Sequence, residues 1–155
     1  ETKDIYKQKN KFKEEELKEF SILFLVMNNL DIFRKKIELI SEIDLSNDFM
    51  MEFKQKLVKY LMSEKFFDRK KIKLEDFDEK YRKIINLINM NASVKIISKN
   101  KNEGEIISIF NEIIGEIKKV DLQKKIESLE DKVSLNLDEK LYTELLSLRN
   151  QLKGG

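Results

Sequence analysis

The sequence predicts an all-α protein with three parts: a helical bundle body, a long helix, and a C-terminal helical hairpin. The chain has 155 residues, no Pro and only four Gly, so the residues that usually form β-turns and tight loops are scarce. Lys, Glu, Leu and Ile are abundant instead, and apolar residues recur at spacings of three and four, which is typical of helices. Each element follows from a segment of this pattern.

The composition excludes several kinds of site. The chain contains neither Cys nor His, which excludes disulfides, zinc sites of the Cys/His type, and catalysis by either side chain. We therefore expect no cofactor and no metal. The net charge is only +2 although 39% of the residues are charged, and the signs are interspersed. This pattern disfavours a strong field for a polyanion, so direct nucleic-acid binding is not expected.

Features of a membrane or secreted protein are also missing from the pattern. The longest apolar run, residues 22–27, is far shorter than the ~20 residues that span a bilayer. Residues 1–19 are polar and mixed in charge, unlike a secretory signal. These observations predict a cytoplasmic protein without a membrane partner. The chain begins with Glu rather than Met, which suggests a fragment or a processed chain.

The body is predicted over residues 14–120, after a flexible linker at residues 1–13. Residues 14–30 are apolar on nearly every side of a helix, which indicates a buried central helix. A second, shorter helix is predicted over residues 31–43. The turn that follows, residues 43–48, contains Asp, Ser and Asn, whose side chains can cap a helix.

Two further helices are predicted in the body, separated by a loop at residues 65–73. A short helix at residues 94–97 and an exposed loop at residues 98–104 follow them. The apolar face of the third helix consists of Phe49, Phe53, Leu57, Tyr60 and Leu61, and that of the fourth of Phe77, Tyr81, Ile84 and Ile88.

The next segment changes its apolar face. Its first half carries a stripe formed by Ile106, Phe110, Ile113, Ile117 and Val120. The stripe should continue at positions 124 and 127, but those residues are Lys124 and Glu127. The apolar residues there are instead Leu122, Ile126, Leu129 and Val133, a shift of roughly 200° around a helix. We interpret the segment as one long helix that packs in two directions; the alternative is two helices with a kink near Asp121.

The C-terminal hairpin is predicted over residues 121–155. Asn136 or Asp138 can cap its last helix, and a short turn makes the two helices antiparallel neighbours. The inner stripe of the last helix is Leu137, Leu141, Leu145, Leu148 and Leu152. Tyr142 and Leu146 lie beside this stripe. They are candidates for a partner surface, unless the hairpin folds back on the body.

Two stretches carry a family resemblance. Residues 14–48 read EEELKEFSILFLVMNNLDIFRKKIELISEIDLSND, and residues 121–152 read DLQKKIESLEDKVSLNLDEKLYTELLSLRNQL. With the predicted order of body, long helix and hairpin, they resemble the helicase-interaction domain of bacterial DNA primase. The closest match is EKLYTELLSLRNQL, residues 139–152. The family often has His-Pro where this chain has Asn29 and Leu30, and loss of that Pro should leave the end of the first helix less sharply defined.

The resemblance implies a function in docking. It implies that the domain binds the N-terminal domain of the replicative DNA helicase and modulates both enzymes, with single-stranded DNA-binding protein as a second candidate partner. The body would regulate the helicase and the hairpin would dock onto it. The zinc-binding and polymerase domains would lie upstream of Glu1, so this chain alone should not synthesise primers. The implied helicase-binding residues are Tyr142, Leu145, Leu146, Leu148, Arg149, Asn150, Leu152 and Lys153.

Two alternatives stay open. The domain could be a general helical adaptor whose hairpin self-associates. It could also bind nucleic acid through two basic segments, KFFDRKKIK at residues 65–73 and KIISKNKNEG at residues 95–104, where Phe66 and Phe67 could stack on bases. Core closure is the commoner role for such Phe residues.

Overall fold

A computed structural model describes residues 12–136 and 139–154, with the side chain of Asn136 left out of the description. Every regular element in these residues is helical, so the all-α fold class is confirmed. They form two compact units divided between Asn111 and Glu112, which we call the body unit and the hairpin unit. The sequence placed the division later, at residue 120, because only the change of stripe marks it. The linker expected at residues 1–13 lies outside the description except for Phe12, whose ring contacts that of Phe20 at 5.1 Å, and Lys13.

Helix α1, Glu14–Asn28, is the buried centre of the body unit. Every residue from Glu19 to Met27 is buried. The apolar pattern predicts this for the apolar residues, but not for Glu19, whose type and position are those of an ordinary exposed helix carboxylate. The helix ends sharply although Pro is absent. Asn29 leaves the helical conformation (φ −142°, ψ 54°), and its side-chain amide donates to the Leu25 carbonyl oxygen at 2.9 Å. The expected loss of definition at this helix end is therefore wrong, because the Asn side chain satisfies an end carbonyl.

The single helix predicted over residues 31–43 is also wrong. The chain forms α2 at Leu30–Phe33, a 3₁₀ helix at Arg34–Lys36, and α3 at Ile37–Ser41. The break lies at Lys36, whose backbone (φ −128°, ψ 30°) is not helical. Arg34 donates through Nη2 to the carbonyl oxygen of Phe66, a contact across 32 residues of chain. A tertiary contact of this kind leaves no trace in the local apolar pattern.

Helix α4, Asp48–Met62, begins where the sequence predicts a capped turn. Asn47 is the cap, and its Oδ1 accepts from the Met50 backbone N–H at 2.8 Å. The predicted face is buried except for Phe49, which is 40% exposed, and Met50 takes its place in the core. The Phe49 ring instead stacks on Tyr81.

The rest of the body unit is built from short elements and one longer helix. The first two residues of the loop predicted at residues 65–73 belong to a 3₁₀ helix, Glu64–Phe66, and another 3₁₀ helix follows the loop at Leu74–Asp76. Helix α5, Glu79–Asn91, buries Tyr81, Ile84 and Ile88 as predicted. Phe77, predicted on the same helix face, is buried but lies before the helix in extended backbone. Helix α6 occupies Val94–Ile97.

Two buried charged side chains fix the turn between α3 and α4. The Glu19 carboxylate accepts from the Ser46 backbone N–H at 2.8 and 3.0 Å and from its hydroxyl at 3.1 Å. Lys54 donates through Nζ to the carbonyl oxygens of Ser41 at 2.9 Å and Ile43 at 2.6 Å. Burial raises the pKa of Glu19 and lowers that of Lys54. We call Glu19 and Lys54 the turn clamp.

Helix α7, Glu103–Asn136, is one continuous α-helix, so the alternative of two kinked helices is wrong. Its stripe shifts as predicted. Ile106 and Phe110 are buried in the body unit, Lys124 and Glu127 are exposed, and Ile126 and Leu129 are buried in the hairpin unit. Helix α8, Glu139–Gly154, completes the hairpin. In the part of the chain that the structure describes, no helix is both long enough and apolar enough to cross a bilayer.

Candidate protein-docking surface

The hairpin unit has a small core of its own, made by α7 and α8. Ile126, Leu129 and Leu145 are its buried members. Packed against them, and partly buried, are Leu122, Val133, Leu141, Leu148 and Leu152. The pairing of the two stripes is therefore confirmed. Two predicted features, the stripe residue Leu137 and a cap at Asn136 or Asp138, lie outside the described side chains.

This packing divides the eight predicted helicase-binding residues into two sets. Leu145 is only 3% exposed, and Leu148 and Leu152 are partly buried against the same cluster. Leu145 is therefore not available to a partner while the hairpin is closed, and Leu148 and Leu152 are only partly accessible. The apolar pattern placed these three in the inner stripe, and it was the family resemblance that grouped them with the surface residues.

The other five predicted residues share one exposed face of α8. At about 100° per residue, they lie within an arc of roughly 100°. All five are exposed: Tyr142, Leu146, Arg149, Asn150 and Lys153. Tyr142 is 51% exposed and Leu146 is 42% exposed, one helical turn apart. We call these five residues the outer stripe.

The outer stripe is apolar at its start and basic toward the C-terminus. Arg149 Nη2 lies 2.6 Å from Glu130 Oε1 on α7, with both side chains 44% exposed. A surface ion pair of this kind contributes at most about 1 kcal/mol to stability. It does hold the guanidinium at the border between the outer stripe and the hairpin core. A partner that fits this face needs an apolar pocket with acidic or neutral groups at one end.

An open groove of about 380 Å³ lies elsewhere in the hairpin unit, and the sequence did not predict it. Two Glu, two Lys and one Gln alternate with apolar atoms along it, so its charge is balanced. No sequence signal marks it, because its walls come from both helices. The lining residues are Glu112, Gly115, Glu116, Lys118, Lys119, Leu122, Gln151 and Leu152.

Neither a metal site nor a similarity to a known protein identifies the function of this chain. Within residues 12–136 and 139–154, no three acidic side chains are grouped so that they could hold a metal ion. None of the protein-family models, curated proteins or solved structures compared with this chain matches it. The outer stripe is thus characterised by its own geometry: a fixed helix that presents two neighbouring apolar side chains and a basic end.

Proposed function

We propose that this chain is the helicase-docking domain of a bacterial DNA primase, and that the outer stripe of α8 binds the N-terminal domain of the replicative DNA helicase. The observation that supports this most is the exposure of Tyr142 and Leu146 on a helix whose other large apolar residues are buried or partly buried in the hairpin core. The stretch that most closely resembles the primase family, residues 139–152, falls on this same helix.

The geometry suits binding to a preformed groove. A helix that lays an apolar face into a partner groove uses anchors spaced by about one turn. Tyr142 and Leu146 have that spacing, and α7 already holds α8 through the hairpin core. Little order would have to be gained on binding, which lowers the entropic cost of association. Tyr is also enriched among the residues that dominate binding energy.

The test is calorimetric titration of the parent chain and its variants against the helicase N-terminal domain from the same organism. Truncation of a well-packed anchor costs ~2 kcal/mol or more, so Tyr142→Ala or Leu146→Ala should each weaken binding about thirtyfold. Helicity by circular dichroism should not change, because both side chains lie outside the hairpin core. Ser147→Ala is the matched control, since Ser147 is exposed on the same helix but outside the outer stripe.

A second control distinguishes residues that contact the helicase from residues that stabilise the hairpin. Leu129 is 8% exposed and lies in the hairpin core. Leu129→Ala should lower the thermal stability of the hairpin unit and weaken helicase binding through reduced preorganisation. If Tyr142→Ala and Leu146→Ala bind the helicase as tightly as Ser147→Ala does, the helicase does not use the outer stripe.

The main alternative is a self-associating adaptor. A homodimer through this face would predict a concentration-dependent mass in sedimentation equilibrium that Leu146→Ala reduces. A stable dimer of the parent chain, combined with no heat of binding to the helicase, would replace the docking proposal with this alternative.

A further inference from the structure

The fold brings two basic segments of the body unit together. Arg34, Lys35 and Lys36 form the 3₁₀ helix after α2, and residues 65–73 contain five more basic residues. One hydrogen bond joins the two segments directly, and two more hold residues 65–73 against the end of α1 and the start of α2. Arg34 donates to the Phe66 carbonyl, the Leu30 N–H donates to the Lys70 carbonyl at 2.8 Å, and the Ile72 N–H donates to the Met27 carbonyl at 3.0 Å. Residues far apart in sequence therefore form one surface.

The charge of this surface is much higher than that of the whole chain. Its two segments hold eight basic residues and one acidic residue, Asp68, whereas the net charge of the protein is +2. Lys35 pairs with Glu103, and Arg69 pairs with Asp76. The remaining five lysines are exposed, and no carboxylate among the described residues lies within ion-pair distance of them: Lys36, Lys65, Lys70, Lys71 and Lys73.

Two neighbouring aromatic rings lie among these charges. Phe66 is half-buried and stacks on Tyr60, with ring centroids 4.1 Å apart and planes 10° apart. Lys65 Nζ and the Arg69 guanidinium lie 5.5 and 5.3 Å from the centre of the Phe66 ring. Phe67 is 71% exposed and has the Arg34 guanidinium 5.5 Å from its ring centre. We call this set of basic residues and rings the basic–aromatic patch.

We propose that the basic–aromatic patch binds single-stranded nucleic acid. The sequence-averaged charge disfavoured such binding, but averaging hides a local concentration that only the fold assembles. Single-stranded nucleic acid offers what this patch matches: phosphates for unpaired lysines, and unstacked bases for exposed rings with cations beside them. A duplex exposes its phosphates but keeps its base faces stacked, so the rings would have no role. This site lies in the body unit and does not depend on the proposed function of the hairpin.

The experiment is fluorescence anisotropy of a labelled oligo(dT) of about 20 nucleotides titrated with the full chain. Binding should weaken steeply when salt is raised from ~50 to ~200 mM, because counterions are released from the phosphates. Phe67→Ala should weaken binding at least about fivefold, the lower end of the effect of removing one stacking residue. Phe67 is mostly exposed, so this change should leave the circular dichroism spectrum and the thermal midpoint as in the parent.

A pair of double variants distinguishes the patch from general basicity. Lys70→Ala with Lys71→Ala should lower the slope of log K against log salt by about 0.7 for each phosphate that the variant no longer neutralises. Lys118→Ala with Lys119→Ala changes the net charge equally in the hairpin unit, where both lysines are exposed, and should bind like the parent.

Several results would overturn the proposal. These are no anisotropy change, equal weakening in the two double variants, no effect of Phe67→Ala, or displacement by unlabelled duplex as effective as by unlabelled oligo(dT). Binding of a labelled acidic peptide to the patch, with no binding of oligo(dT), would assign the surface to an acidic protein segment instead.

Discussion

Replacing Lys54 with Met tests whether the turn clamp stabilises the body unit. Lys54 is 4% exposed, and its Nζ holds the carbonyl oxygens of Ser41 and Ile43. Ser41 is the last residue of α3, where carbonyl groups have no partner within the helix. Met has a similar length but cannot donate. Lys54→Met therefore leaves two carbonyl groups without their donor, that of the buried Ile43 and that of the exposed Ser41.

The expected decrease in stability follows from these two hydrogen bonds. A buried acceptor without its donor costs ~1–3 kcal/mol, which applies to the Ile43 carbonyl, whereas the partly buried Ser41 carbonyl should cost less. Part of this cost is offset, because the variant no longer buries an ammonium group, whose lowered pKa reflects its desolvation. We expect a net decrease of roughly 1–3 kcal/mol in the free energy of unfolding. That is a large part of the ~5–15 kcal/mol by which folded domains are usually stable.

Urea unfolding followed by circular dichroism measures this decrease. Lys56→Met is the matched control, because Lys56 is exposed on the same helix, α4, and its replacement should change the free energy of unfolding by no more than ~0.5 kcal/mol. An unfolding free energy of Lys54→Met equal to or above that of Lys56→Met would refute the reasoning. It would show that the desolvation of the ammonium group destabilises the fold by as much as its two hydrogen bonds stabilise it.

Two further predictions concern pH and domain independence. The pKa of Glu19 is raised above 4.5 by burial, against the hydrogen bonds from Ser46, so the folded state keeps a proton that the unfolded chain releases. The stabilisation from the protonated side chain is complete below about pH 4.5 and is lost as pH rises through the folded pKa. Glu19→Gln should remove this pH dependence in urea titrations between about pH 4 and 7. A difference in stability between parent and variant that does not change with pH would contradict this prediction. A chain that ends at Lys119 should still unfold cooperatively on heating, since it retains the whole body unit, whereas a broad melt would show that the hairpin unit completes the core.

The sequence predicted well those features that depend on one helix at a time. The apolar run at residues 22–27 predicts the buried centre of α1, and the stripe that shifts between Val120 and Leu122 predicts an α7 that contributes to two cores. Both follow from the period of a helix, which no tertiary contact has to supply. The cap at Asn47 is equally local, because its partner is three residues away.

The features it predicted wrongly depend on contacts between distant segments. The helix breaks at Lys36, next to the point where Arg34 contacts Phe66. The half-exposed Phe49 ring lies outside the core and stacks on the buried Tyr81. The turn clamp was missed for the same reason. Glu and Lys are ordinary residues on exposed helix faces, so the sequence gives no sign that Glu19 and Lys54 are buried. Only the turn that lies between them shows why.

The two candidate surfaces illustrate this difference in what a sequence can reveal. The outer stripe can be located from the sequence, because Tyr142 and Leu146 are one turn apart on a single helix. The list of binding residues implied by the family resemblance is less exact, since it groups the buried Leu145 with its exposed neighbour Leu146, which the apolar pattern keeps apart.

The basic–aromatic patch is the opposite case. Its charges are visible in the sequence but are diluted to a net +2, and they form a concentrated surface only because backbone hydrogen bonds place residues 65–73 against the end of α1 and the start of α2. A surface made by one helix can be inferred from periodicity, whereas a surface made by two loops has to be observed in the fold.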